Sequence, residues 1–252
     1  NKPVFLHYNF RVLVEALLSK TLSSIIAVST QTKETILRNT RICDSQNVYV
    51  RVINNPVFLA SKFLRKRPIN SLLKVIILGR VDKYKGHDDL ICALSLVDNS
   101  KYKIKLDIVG ACSSHESKRL TSLSQQLNLK DNVCFKGYQK GDISDILSQY
   151  DVLVCATNTF EGFGLTLIEA LSSNIRVISS LVGVAYDVKN HPGVKVYSPG
   201  DIEALKDSLE SFASEILRNV DYENSDDLSQ YNPVNISKIY RNHLLFDYYK
   251  NK

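Results

Sequence analysis

Methionine is absent from all 252 residues, and the chain opens on Asn1. Translation starts on methionine, so the expectation is a fragment, a processed chain or an incompletely recorded one. The cysteines are Cys43, Cys92, Cys112, Cys134 and Cys155, an odd number with no C-x-x-C spacing. That argues against a disulfide framework or a zinc site and favours a reducing compartment. Apolar runs such as "VIIL" at 75–78 fall far short of the ~20 residues a membrane helix requires, and no signal peptide is visible. No acidic or basic tail exists either, because charges of both signs are mixed along the chain. The net charge of +6 suits phosphate-rich ligands or an anionic membrane surface without selecting either. With 44% hydrophobic residues, the length supports one large domain or two small ones.

From residue 72 a rhythm sets in. "LLKVIILG" (72–79), "KIKLDIVG" (103–110), "NVCF" (132–135), "DVLVCA" (151–156), "IRVISS" (175–180) and "GVKVYS" (193–198) are short, β-branched and mostly closed by Gly, Ser or Ala. Segments with helical spacing lie between them, at 87–97, 115–128, 142–149, 163–173 and 201–218. Strands alternating with helices in this way imply βαβ crossovers and a parallel sheet covered on both faces. The fold class expected is α/β, a Rossmann-like doubly wound parallel sheet over 72–222, whose ligands bind beyond the carboxyl ends of the strands.

Residues 1–56 do not fit that unit. "KPVFLHY", "SSIIAVS" and "NVYVRVI" read as strands and "TQTKETILR" as a helix. They suggest the tail of a second, truncated α/β domain, followed by a linker over 57–71 that carries the basic run "KFLRKR" at 62–67. At the other end, Ile236, Ile239, Tyr240, Leu244 and Tyr248 recur at helical spacing, so 230–252 is expected to be one amphipathic closing helix.

Two stretches at the ligand-facing edge carry chemistry. In "LGRVDKYKG" (78–86), Arg80 and Lys85 follow the first strand and precede a helix beginning near His87. Two cations beside a helix N-terminus suit a diphosphate, gripped by a guanidinium fork and a point charge. The plainer alternative is a pair of solvated surface cations. In "FEGFGLTLIEAL" (160–171), Gly162 and Gly164 leave amides free at a helix start between Glu161 and Glu169. Those amides welcome a phosphate, whereas a carboxylate accepts from hydroxyl groups. A phosphate flanked by hydroxyl-bearing rings, as in a nucleotide sugar, meets both demands. Here the alternative makes Glu161 a favourable first-turn charge and Glu169 a surface residue.

"GRVDKYKG" followed by "EGFGLTLIEA" resembles the retaining glycosyltransferases of the GT-B fold, family 4, with their Glu-x7-Glu signature. "LDIVG", "LNLKDNVCFKGY" and "SIIAVS…NVYVRVINNPV" agree, so the likeness covers essentially the whole chain, chiefly the C-terminal donor-binding domain. The resemblance implies a transferase that moves a hexose-type unit from a nucleoside diphosphate, UDP- or GDP-linked, to a saccharide or lipid-linked acceptor hydroxyl. Polysaccharide or glycolipid assembly is the implied setting. Arg80 and Lys85 would neutralise the diphosphate beside Gly79, and Glu161 would contact the transferred sugar. The backbone around Gly162, Phe163, Gly164 and Leu165 would assist, Glu169 would take the ribose, and Gly137 and Tyr138 would lie near the base. His7 resembles a family histidine that contacts the donor sugar.

Some features depart from the family. "GACS" (110–113) stands where Gly-x-Gly is common, and "LVGVAYDV" (181–188) has one glycine and an offset Asp187. No Asp-x-Asp occurs, so cations replace a metal and no metal is expected. No cofactor beyond the donor substrate and no nucleic-acid partner is implied. The expected location is cytoplasmic, with peripheral contact at the inner membrane face through the basic run. Two other readings stay open: a non-catalytic nucleotide-sugar-binding subunit of a split enzyme, and a GT-B nucleotide-sugar epimerase.

Overall fold

A computed structural model of the chain describes residues 24–39, 48–60, 72–218, 220 and 228–250, with side chains as far as 244. His7, the strand expected at "KPVFLHY" and the basic run at 62–67 lie outside them. A small parallel pair comes first, β1 (Ser24–Ala27) and β2 (Tyr49–Val52), joined through helix α1 (Thr30–Asn39).

Six strands then alternate with helices. They are β3 (Leu72–Leu78), α2 (His87–Leu96), β4 (Lys103–Val109), α3 (Ser114–Gln126), β5 (Val133–Gly137), α4 (Ile143–Leu147), β6 (Val152–Cys155), α5 (Leu165–Ser172), β7 (Arg176–Ser180), α6 (Ala185–Val188), β8 (Val194–Tyr197) and α7 (Ile202–Leu217). A 3₁₀ turn (Leu228–Tyr231) leads into α8 (Pro233–Lys250). All six expected strands are present. Only α6 escaped the periodicity, because four residues are too few to show a helical period.

The strands run parallel in the order β5-β4-β3-β6-β7-β8. The chain winds outward from β3 to β5, returns to the centre, and winds the other way from β6 to β8. Loops leaving β3 and β6 therefore diverge to opposite faces and open a crevice between them.

Burial follows from the two-residue period of each strand. Leu73, Val75 and Ile77 of β3 point to one face, where Leu90 and Leu94 of α2, Leu120 of α3 and Leu209 and Phe212 of α7 cover them. Ile76 points to the other face, against Leu147 of α4 and Leu167, Ile168 and Leu171 of α5. Each layer buries apolar surface that neither helix nor strand could hide alone.

Side chains cap several helix starts, Ser29 accepting from the Thr32 N–H of α1 and Asn232 from the Val234 N–H of α8. Ser113, Asp142 and Asp201 accept backbone N–H groups of α3, α4 and α7. Asn128 and Asn174, both in the left-handed region, close α3 and α5.

Three boundaries differ from expectation. Val57 and Ala60 of the expected linker are docked on the domain: the Val57 N–H donates to the Tyr231 carbonyl at 2.8 Å, and the Ala60 N–H to Ser172 Oγ at 3.2 Å. Strand β5 runs two residues further than its apolar run, so Gly137 belongs to the strand end. The closing helix forms, but of its expected apolar stripe Ile236 is buried while Ile239 and Leu244 are exposed. Its other buried contact is polar, His243 Nε2 lying 3.1 Å from Ser24 Oγ.

Candidate active site

The loop after β3 is braced from within. Asp82 accepts from the Tyr84 N–H at 2.9 Å and from Arg80 Nε at 3.3 Å. Gly86 ends this loop with φ +68, a region L side chains rarely adopt. A Cβ there would sit 1.8 Å from the Ala156 carbonyl oxygen. Glycine thus lets the β3 loop lie directly on the β6 loop, and the Asn158 N–H donates to the Tyr84 carbonyl at 3.0 Å across the same seam.

The β6 loop is held from three sides. Ser180 Oγ on β7 donates to the Thr157 carbonyl at 2.6 Å. The Val184 N–H donates to the Phe163 carbonyl at 2.7 Å, and the buried Phe163 ring packs edge-on against Tyr231. From the opposite direction, Ser29 Oγ and Thr32 Oγ1 at the start of α1 donate to the Gly162 carbonyl at 2.8 and 3.0 Å.

Between the two loops lies a cleft of about 400 Å³. Of the residues singled out in the sequence, Gly79, Arg80, Lys85, Glu161, Phe163, Gly164 and Leu165 line it. At its centre Lys85 Nζ meets Glu161 Oε2 at 2.5 Å. Arg80 stands at the mouth with its side chain 78% exposed. Helices α2 and α5, which begin beside the cleft, both start on a left-handed glycine (Gly86, Gly164) with no side-chain cap. Their first N–H groups stay available to an anion, unlike those of α3, α4 and α7.

The remaining expected site residues lie elsewhere. Gly162 is beside the cleft but turned outward to Ser29 and Thr32. Gly137 accepts the Gly110 N–H at 2.9 Å, and Tyr138 is exposed without lining the cleft. Glu169 lines a neighbouring depression with Asp142, Ser144 and Asp145, one helical turn beyond Leu165. Burial, and then the Asp142 charge, push its carboxyl above the usual carboxylate range. Its Oε2 is buried with no hydrogen-bond partner among the described residues.

Two further titratable groups face the cleft, the half-buried Cys155 and the buried His87. Burial pushes the Cys155 thiol up to about 12, so it is no thiolate nucleophile. His87, the first residue of α2, also lines the cleft, and burial lowers its pKa.

Several contacts had no local signal in the sequence. Ser29, Gln31 and Thr32 reach residues more than a hundred positions away, Gln31 Oε1 accepting the Gly183 N–H at 2.5 Å. The offset Asp187 accepts from the Thr30 backbone N–H and hydroxyl, and so caps α1. Only the Ser/Thr-rich start of "STQTKETILR" hinted at a helix start there.

Residues 62–231, more than half of the chain and including both cleft loops, match the family described as Glycosyl transferases group 1. The chain belongs to that family. Among its relatives, Protein CapJ of Staphylococcus aureus is 29% identical over 195 residues, covering 75% of this chain and 48% of CapJ. The lipopolysaccharide 1,6-galactosyltransferase of Escherichia coli K12 is 27% identical over 193 residues, covering 74% and 51%. The chain therefore spans about half the length of the curated relatives it matches. In solved structures the same GT-B fold recurs. The apo lipopolysaccharide outer core galactosyltransferase WaaB superposes with a TM-score of 0.69 at 23% identity, over 89% of this chain and 62% of WaaB. Anabaena Alr3699/HepE in complex with UDP-glucose gives 0.69 at 18% identity, over 92% and 66%.

Proposed function

We propose that this group 1 domain holds the nucleoside-diphosphate sugar of a retaining glycosyltransferase of family 4, which passes the sugar to an acceptor hydroxyl in polysaccharide or glycolipid assembly. The observation that carries the reading is the Lys85–Glu161 contact at 2.5 Å, set across the switch-point crevice between two helix starts with no side-chain caps. In the free site each group satisfies the other. A diphosphate entering the cleft gives Lys85 a doubly charged partner, releases the Glu161 carboxylate to accept from sugar hydroxyls, and draws in the exposed Arg80.

The nucleoside would run from Gly164 over the exposed Leu165, with Glu169 one turn on to accept a ribose hydroxyl. Charge building on the leaving diphosphate is stabilised by Arg80, Lys85 and the open N–H groups of α5, and a departing phosphate oxygen takes the acceptor's proton. No separate general base is needed. The named relatives that act on lipopolysaccharide, and the UDP-glucose complex of HepE, are consistent with this donor class.

A thermal-shift screen of UDP, GDP, ADP and their sugars tests the reading. A donor at a hundred times its Kd should raise the melting temperature by roughly 5–10 °C. No shift with any of them would overturn it. Because cations of the chain neutralise the diphosphate in this scheme, transfer should persist unchanged in excess EDTA, and turnover lost to the chelator would refute the metal-independent scheme.

A further inference from the structure

His87 is only 2% exposed, yet neither Nδ1 nor Nε2 has a hydrogen-bond partner among the described residues. A polar ring in that condition is uncommon, since buried donors and acceptors are normally paired. This ring lines the Lys85–Glu161 cleft at the first position of α2, a ten-residue helix whose N-terminus has no side-chain cap. The two first-turn acids do not serve it. Asp88 pairs with Arg119 of α3, the second oxygen at 2.8 Å, and Asp89 bonds to Asn158.

We propose that His87 is a ligand of the donor's diphosphate: its ring N–H donates to a phosphoryl oxygen held at the α2 N-terminus, and the imidazole gains a proton as that oxygen arrives. The inference rests on the donor site proposed above, to which it adds a residue and a proton. A neutral imidazole has one N–H for the anion, and its other nitrogen can accept the proton.

The charged and titratable groups around the ring are Asp82 from the β3 loop, Asp88 from its own helix and Arg119 from α3, with Arg80, Lys85, Glu161 and Cys155 also lining the cleft. Burial is the largest influence and, helped by Arg119, holds the ring below the ordinary histidine value of 6.5. The Asp82 backbone, which does not reach bonding geometry, opposes this together with the Asp82 and Asp88 carboxylates. In the free site Lys85 and Glu161 offset one another. A diphosphate adds two negative charges, favours the imidazolium and raises the pKa in the complex. Because the bound form then holds more protons than the free form, donor affinity should rise as pH falls towards and below neutrality, by at most about tenfold per pH unit.

The test is calorimetric binding of UDP-glucose, GDP-mannose and ADP-glucose at pH 7 in two buffers of different ionisation enthalpy. These diphosphate diesters carry no proton that titrates near neutrality, so any uptake belongs to the protein. The expected result is net uptake of a substantial fraction of a proton by the wild-type chain. His87→Gln, which keeps an N–H donor without titrating, should bind within a few-fold and lose the uptake. His87→Leu should bind at least about tenfold more weakly. Binding without proton uptake in the wild type overturns the proposal, and that outcome does not depend on any variant folding. Uptake that persists in His87→Gln overturns it too, assigning the proton to another group such as Glu161. If none of the probes binds, the donor reading itself has failed and this inference falls with it.

Discussion

Glu161→Gln should lower sugar transfer by about 10²–10³-fold while donor affinity holds or improves slightly. Glutamine keeps the shape of the side chain and removes its charge. The Lys85 ammonium, now 2.5 Å from that carboxylate, would then face the diphosphate without a competing anion. What disappears is the negative group beside the reacting sugar carbon, where positive charge develops as the diphosphate leaves. Ground-state binding and turnover should therefore move apart, which a purely structural salt bridge would not cause. Arg80→Ala makes the contrast. Its guanidinium at the cleft mouth serves donor and transition state alike, so both Kd and kcat/KM should worsen, the former by roughly 10- to 100-fold for a charge-assisted bond. Calorimetric Kd measured alongside kcat separates the two patterns. Unchanged turnover in the glutamine variant would remove Glu161 from the mechanism.

The second large effect concerns stability. Gly86→Ala should destabilise the fold by about 3–5 kcal/mol, a large share of the total for a domain of this size. The new methyl would lie 1.8 Å from the Ala156 carbonyl oxygen and 2.7 Å from its carbon, both backbone atoms that cannot rotate away. The β3 and β6 loops would have to separate, breaking the Asn158–Tyr84 bond and parting Lys85 from Glu161. Gly200→Ala is the control. Its φ is +80 with nothing within 4 Å, so only left-handed strain of about 1–2 kcal/mol applies. Urea unfolding of both variants gives the comparison, and a Gly86 variant no worse than the Gly200 one would mean the seam between the loops is pliable.

The strands were legible because buried parallel strands carry apolar runs, as in "VIIL" of β3 and "VLVC" of β6, while "KIKLDIV" of β4 betrays itself by alternation. Strand order was not legible. Nothing local in "DVLVCA" says that it pairs with "LLKVIILG" rather than with the preceding strand β5, yet that pairing is what brings Glu161 to Lys85. The cationic and acidic motifs could each be found from loop position and residue type, and the structure brings Lys85 of one against Glu161 of the other. Glu169 shows the limit of the same reasoning. Eight residues on from Glu161 places it further along α5, but only the packing of α4 puts its carboxyl beside Asp142, in a separate depression. His87 was visible only as a helix start, since burial without a partner is a property of the assembled cleft. The closing helix misled for a related reason: helical spacing reports a possible apolar face, yet of this one Ile236 is buried while Ile239 and Leu244 stay exposed.

The grip of Ser29 and Thr32 on the Gly162 carbonyl has a practical corollary for anyone dissecting the molecule. An expression clone beginning at β3 would retain every charged group of the cleft but lack the two hydroxyls that brace the strip of backbone next to Glu161. Such a truncation should swing that carboxylate off its aim while the six-stranded sheet and its covering helices still form. The small β1–β2 unit is therefore a strut for the β6 loop, and tilting it would move the Glu161 side of the cleft from a distance.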